Sequence, residues 1–485
     1  MANPPSMQLL ETLAARLGPK GFTRDERDLT PWLEDWRGRY RGAAAAMLSP
    51  STTAEVAEIV RLCAAERVPL VPQGGNTSMV GGATPPAQGG ALLLSLRRMT
   101  AIRSLSDVSN SAVCEAGVIL SRLHEAAAEV GRRFPLTLGA RGSATIGGLV
   151  STNAGGTQVL RFGTMRSLVQ GIEAVLADGS VFDGLTPLKK DNRGYDLRQL
   201  LIGAEGTLGI VTAANLKLVP AIGSRSVAWI GLSSAEAALR LLRELEVSLG
   251  DAVESFELVP ETALDLVLAH VVGTRAPLGG RHRWHVLAEA TAPAGAPSPE
   301  AELGKALGEA LERGLIEDAV IASSEAQAEA FWRIRDSISE AERKDGPAAK
   351  HDISVDVAAM PDFMTGAAAA VEARFPGTRV IAFGHLGDGN VHFNVRAPEG
   401  AGPEWLEEAA PEVTRFVHDL VTEAGGSISA EHGIGQMRLS ELARLADPAR
   451  LGAMRAIKQA LDPHGIMNPG KLVPLFDLAQ GSLAE

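Results

Sequence analysis

Cysteine is nearly absent. Cys63 and Cys114 are the only two in 485 residues, too few for a disulfide framework and consistent with a reducing compartment. No basic block stands out. Lys plus Arg number 46 against 58 Asp plus Glu, a net charge of −12 that argues against nucleic acid as the main partner. No run approaches the roughly 18 charge-free apolar residues of a membrane span. The start, Met1 to Ser6, has neither a basic segment nor an apolar core. A cytoplasmic protein with no transmembrane segment is therefore expected. Also missing are G-x-G-x-x-G after a strand and G-x-x-x-x-G-K-[ST], so any nucleotide is held in a non-Rossmann way.

Glycine, by contrast, is plentiful: there are 52, and they cluster. A helix is predicted from the capping box Thr52 to Glu55, with Val56, Ile59, Val60 and Cys63 at helical spacing. A short strand, Val68 to Pro72, then feeds a first glycine-dense loop holding Gly74, Gly75, Asn76, Thr77 and Ser78. Such a loop fits an ordinary wide turn. It also fits an anion cradle, because backbone N–H groups can close on a phosphate where no Cβ intervenes. Two further clusters favour the cradle. One holds Gly139, Ser143, Thr145, Gly147 and Gly148 and continues to Asn153, Gly155 and Gly156. The other holds Glu205, Gly206, Gly209, Ile210 and Val211. Three such loops suit a large, extended ligand pressed against backbone.

Beyond Pro220 the pattern changes to strand and helix in alternation, with a capping box at Ser233 to Glu236, a strand over 253–259 and helices over 260–272, 404–424, 436–446 and 448–462. Length suggests two to three domains. The boundaries expected are a lead-in over 1–41, a first domain over 42–221, a second over 222–475 and a tail over 476–485.

Within the second part, Gly384 to Asn394 reads as an apolar run, an Asp388-Gly389 turn and a strict alternation. Val391, Phe393 and Val395 share one strand face, leaving His392, Asn394 and Arg396 on the other. His385 ends the incoming strand, and Glu431-His432-Gly433 follows later. His385, His392 and Glu431 have the ligand types and number of a catalytic divalent metal site, with His432 left as a general base. Satisfied core histidines beside a turn fit the same spacing. Glu431 and His432 converge only if the backbone bends, which Gly433 permits. In the helix through Phe331 to Arg335, Phe331, Ile334 and Ile338 form an apolar stripe; Trp332, Arg335 and Ser339 form a neighbouring one, with Arg335 able to hold a carboxylate bidentately.

Together, Pro72-Gln73-Gly74-Gly75-Asn76-Thr77, Gly147-Gly148 with Asn153 to Gly156, Gly203 to Gly209, the run from His385 to Asn394, Ser429 to Gly433 and Asn468-Pro469-Gly470-Lys471 resemble the FAD-linked D-2-hydroxyacid dehydrogenases of the vanillyl-alcohol oxidase type. The D-2-hydroxyglutarate dehydrogenases are most similar; D-lactate dehydrogenases and the flavin subunit of glycolate oxidase follow. The resemblance covers roughly residues 25–475. It implies an α+β fold: a PCMH-type FAD-binding domain of two subdomains and a C-terminal FAD-linked oxidase cap with an antiparallel, ferredoxin-like sheet. It also implies FAD contacts by the three clusters together with Asn390, Asn468 and Lys471, and non-covalent FAD, because residues 72–82 hold no His or Cys. His385, His392 and Glu431 match a zinc site, His432 the base, and Asn394 and Lys350 substrate contacts beside Arg335, Ser339 and His432. The reaction implied is oxidation of a D-2-hydroxy acid, D-2-hydroxyglutarate or similar, with hydride passing to flavin N5. D-lactate or glycolate oxidation, alone or as the FAD subunit of a glycolate-oxidase-like complex, is the alternative. An electron-transfer flavoprotein, quinone or cytochrome is the acceptor implied, and a homodimer the assembly.

Overall fold

The Thr52 hydroxyl accepts the Glu55 N–H at 3.2 Å, and the Glu55 carboxylate reaches back to the Ser51 N–H at 2.6 Å, closing the first turn of the helix Thr53–Glu66. Val56, Ile59, Val60 and Cys63 then bury against a four-stranded sheet, as their spacing predicts. The computed structural model describes residues 3–474, so the tail expected over 476–485 lies outside the described residues.

The chain separates into two compact units, 1–155 with 163–219 and 431–485, and 156–162 with 220–430. Residues 431–474 thus belong with the first unit, whereas the sequence groups them with 222–475.

The first unit holds two sheets. One has four strands in the order Phe22–Thr23, Ala44–Leu48, Ala91–Ser95, Leu70–Gln73, and its last three are parallel. The other has five antiparallel strands in the order Ile102–Ser106, Ser111–Glu115, Ile210–Lys217, Val169–Val175, Val181–Gly184. These are the two subdomains, and the glycine clusters are attached to their strands. The strand Leu70–Gln73 runs into the first cluster, and Ile210–Lys217 runs out of the third.

The second unit is built on one seven-stranded antiparallel sheet in the order Asp318–Ile321, Ile222–Leu232, Trp284–Pro293, Val253–Pro260, Arg379–His385, Asn390–Arg396, Ala348–Ser354. Numbered along the chain, the first four strands lie in the order 4-1-3-2 and are linked by helices, the ferredoxin-like arrangement. Val391, Phe393 and Val395 are buried in the core on one face, as the alternation predicts. Phe331, Ile334 and Ile338 fill the core on the other.

Three local expectations change. The capping residue of the helix Ala235–Leu249 is Ser234, which accepts the Ala237 N–H, not Ser233. The stretch 404–424 is two helices, Trp405–Glu408 and Ala410–Glu423. The helix carrying Arg335 ends at Asp336, and a second begins at Ile338, so Arg335 and Ser339 do not lie on one continuous helix face. Among the described residues no helix is long and apolar enough to cross a membrane.

Candidate active site

In the first unit the glycine clusters meet. A Cβ on Gly75 would sit 1.8 Å from the Ser143 carbonyl oxygen, and one on Gly74 would sit 2.1 Å from Thr145 Oγ1. A Cβ on Gly206 would meet the Pro72 ring at 2.4 Å. Only glycine allows the three loops to approach this closely, and together they wall a groove of about 660 Å³. Seventeen of the 22 residues expected at the cofactor line it: 72, 74–78, 139, 143, 145, 147, 148, 155, 205, 206 and 209–211.

Asn153, Gly156, Asn390, Asn468 and Lys471 are not in that lining. Asn153 accepts the Arg166 N–H, and Asn390, in the other unit, donates to Asp352 and Ile353. Asn468 donates to the carbonyls of Gly82 and Glu205 and so ties the C-terminal return to two of the groove's loops. Burial lowers the Lys471 ammonium to about 8, against the opposing pull of Glu205.

The groove fits FAD. Its volume lies within the roughly 300–1,000 Å³ typical of cofactor pockets. A Cβ at Gly139 or Gly142 would meet nothing within 4 Å, so both face open space. The lining also contains buried polar atoms with no hydrogen-bond partner among the described residues, Thr145 Oγ1 and Gln73 Oε1. Both cysteines are buried elsewhere, their thiols pushed up to about 12 by burial.

Glu431 and His432 line this same groove. They sit in a bend, and Gly433 follows at φ 82, a conformation that favours glycine. The bend sought in the sequence is therefore present, and both residues line the groove.

In the second unit, strand register gathers the other predicted residues on one sheet face. His392 pairs across the ladder with Asp352 and Phe383, Asn394 with Lys350 and Ile381, and His385 with Glu257. The His385 and His392 rings stand edge to face, 5.4 Å between centroids.

Glu257, a residue that sequence reasoning missed, links the set. Its Oε1 lies 2.7 Å from His385 Nδ1, and its Oε2 accepts Arg335 Nε at 2.8 Å, with Nη2 2.7 Å away in the same ion pair. Burial alone would raise the Glu257 carboxyl, but His385 and Arg335 outweigh it and hold the pKa at about 2. The ionised carboxylate keeps the proton of a neutral His385 ring on Nδ1, which puts the lone pair on Nε2, the form in which imidazole binds a metal. Arg335 stacks on Phe383 at 5.0 Å. Its Nη1 makes no hydrogen bond to protein among the described residues, so that edge can meet a carboxylate.

A second fully buried acid, Glu342, accepts two hydrogen bonds from Asn394 at 3.0 and 2.8 Å and faces Lys350 Nζ at 3.3 Å. Burial raises its carboxyl, with Lys350 and Asn394 opposing. Ser339 is exposed, and its carbonyl accepts from Lys350. Asp388, in the hairpin turn, is likewise raised by burial.

Residues 223–472 match the family model described as FAD linked oxidases, C-terminal domain, and residues 44–184 match the FAD binding domain. The mitochondrial D-2-hydroxyglutarate dehydrogenase of Arabidopsis thaliana is 38% identical, over 94% of this chain and 80% of the relative. That of Bos taurus is 39% identical, over 95% and 82%. The D-2-hydroxyglutarate dehydrogenase of Xanthomonas citri is 37% identical, over 93% of each. In fold, p-cresol methylhydroxylase superposes with a TM-score of 0.73 over 97% of both chains at 16% identity. With a flavin-sized groove, two family models along its length and relatives of this similarity, this chain belongs to the FAD-linked oxidases.

Proposed function

We propose that this chain oxidises a D-2-hydroxy acid, D-2-hydroxyglutarate or a close analogue, to the 2-oxo acid, with non-covalent FAD as cofactor. The observation that carries the reading is that Glu431 and His432 line the glycine-walled groove whose residues fit FAD. Relatives 37–39% identical over nearly the whole chain are named for that substrate.

His432 removes the proton from the 2-hydroxyl as general base. Arg335 turns its Nη1 edge to one substrate carboxylate, while Lys350 and Asn394 serve a second polar end. Two cationic groups favour a dicarboxylate over lactate or glycolate. His385, His392 and Glu431 would hold a divalent ion, zinc by its ligand types, and Glu257 would fix the ring tautomer that such an ion needs. When bound, the ion would supply a Lewis acid at the hydroxyl, and FAD would be the acceptor of the hydride.

The final electron acceptor is assigned outside the nicotinamides, to a quinone, cytochrome or electron-transfer flavoprotein, because their fingerprint is missing from the sequence. A homodimer in the cytoplasm completes the assignment, checked by sedimentation and by cell fractionation. The test of function is a dye-linked assay across D- and L-2-hydroxy acids. Turnover restricted to the D series, strongest with a dicarboxylate, is expected; equal rates for both series would defeat the proposal.

A further inference from the structure

We propose that Glu205 is a positioning residue for the loop bearing Glu431 and His432, its carboxylate acting on protein backbone instead of on the cofactor expected there. Glu205 is only 8% exposed and is held at φ 50 between Gly203 and Gly206, both also at positive φ. Its own N–H donates to the Ser151 carbonyl at 2.8 Å, fixing the direction of its side chain. Oε1 accepts the Ile434 N–H and Oε2 the Gly435 N–H, each at 2.8 Å. One buried carboxylate thus spans two successive amides directly after Glu431-His432-Gly433.

The contact is close on both sides. A Cβ on Gly433 would lie 2.6 Å from Glu205 Oε1. Burial raises the Glu205 carboxyl above its ordinary value, while the Ile434 and Gly435 amides and the charges of Arg438 and Lys471 oppose the rise without cancelling it. The rest of the loop is fastened to the first cluster, since Gln436 and Met437 donate backbone N–H groups to the Val80 carbonyl. Glu205 is an attachment from the third cluster, and its removal releases the Ile434 and Gly435 amides that follow Gly433.

A glutamine in its place keeps the shape but turns an NH2 toward one of the two N–H donors, so both cannot be satisfied. The functional consequence rests on His432 being the base; the contact itself does not. The FAD-loaded, full-length chain is compared with Glu205→Gln and Gly433→Ala by hydrogen–deuterium exchange of peptides spanning 433–437, by flavin binding and by steady-state kinetics. Expected for Glu205→Gln is exchange roughly tenfold faster or more in those peptides alone. With it comes a kcat lower by about tenfold to a hundredfold, the scale of a base displaced by a fraction of an ångström to 1 Å, while KM and FAD affinity stay within about threefold. Gly433→Ala, pressing from the opposite side, gives the same pattern should the first variant not fold, and the double variant is no worse than the poorer single one.

Unchanged exchange overturns the proposal. So does activity restored fully by saturating FAD, which makes Glu205 a cofactor residue. Normal turnover in His432→Ala, with faster exchange in Glu205→Gln, removes the base assignment and leaves the contact standing.

Discussion

Glu257→Gln keeps the shape of a fully buried side chain and removes its charge, leaving Arg335, 8% exposed and stacked on the Phe383 ring, without its buried counter-charge. The carboxyl is held at about 2 against an ordinary 4.5, so at neutral pH it is ionised and its charge favours the native state. Removing one partner of a buried ion pair costs roughly 3–5 kcal/mol in general, which sets the scale of the loss. The sign follows from the depressed value. The contribution is complete above about 4.5 and disappears as pH falls through about 2. Urea denaturation followed by tryptophan fluorescence reads it directly, because Trp229, Trp284, Trp332 and Trp405 lie in this unit and only Trp32 and Trp36 in the other. The expected loss is about 3 kcal/mol at neutral pH, shrinking below pH 4.5. Glu257→Gln combined with Arg335→Met should recover at least half of it by removing the stranded cation. A loss under about 1 kcal/mol, or one that does not shrink in acid, would refute the reasoning.

His432→Ala should retain its flavin spectrum yet lose kcat by about 10²- to 10⁴-fold, read by stopped-flow flavin reduction; unchanged turnover removes it as base. Chelation should abolish dye reduction, and Zn²⁺, Mn²⁺ or Co²⁺ should restore it; full activity in metal-free protein counts against His385, His392 and Glu431 as ligands. Gly75→Ala places a Cβ 1.8 Å from the Ser143 carbonyl, so the two loops must part. FAD affinity should fall at least tenfold by fluorescence titration, and an unaltered affinity would separate the loops' packing from flavin binding.

What the sequence disclosed was mostly local. The alternation over Val391, Phe393 and Val395 is set by a period of two within one strand, and it puts those side chains in the core as expected. The glycine clusters were legible because close backbone approach excludes a side chain, which leaves a compositional mark. Glu257 and Glu342 were not legible. Each faces its partners across the ladder or from a separate helix, 128 residues from His385 in the first case and 52 from Asn394 in the second. No spacing rule reaches that far. Asp352 was missed for the same reason: its place opposite His392 depends on register between two strands. Ser339 was grouped with Arg335 because helical periodicity assumes an unbroken helix, and Ser337 interrupts it. For Asn390 and Lys471 the family motif placed the residue, but the structure alone reveals what each side chain faces.

The most direct measurement is anaerobic mixing of the purified protein with single 2-hydroxy acids while its visible flavin absorbance is recorded. A yellow protein bleached by D-2-hydroxyglutarate, and not by the L enantiomer, is the predicted result. A colourless protein, or a bound flavin that stays oxidised with every D-2-hydroxy acid, would contradict the account.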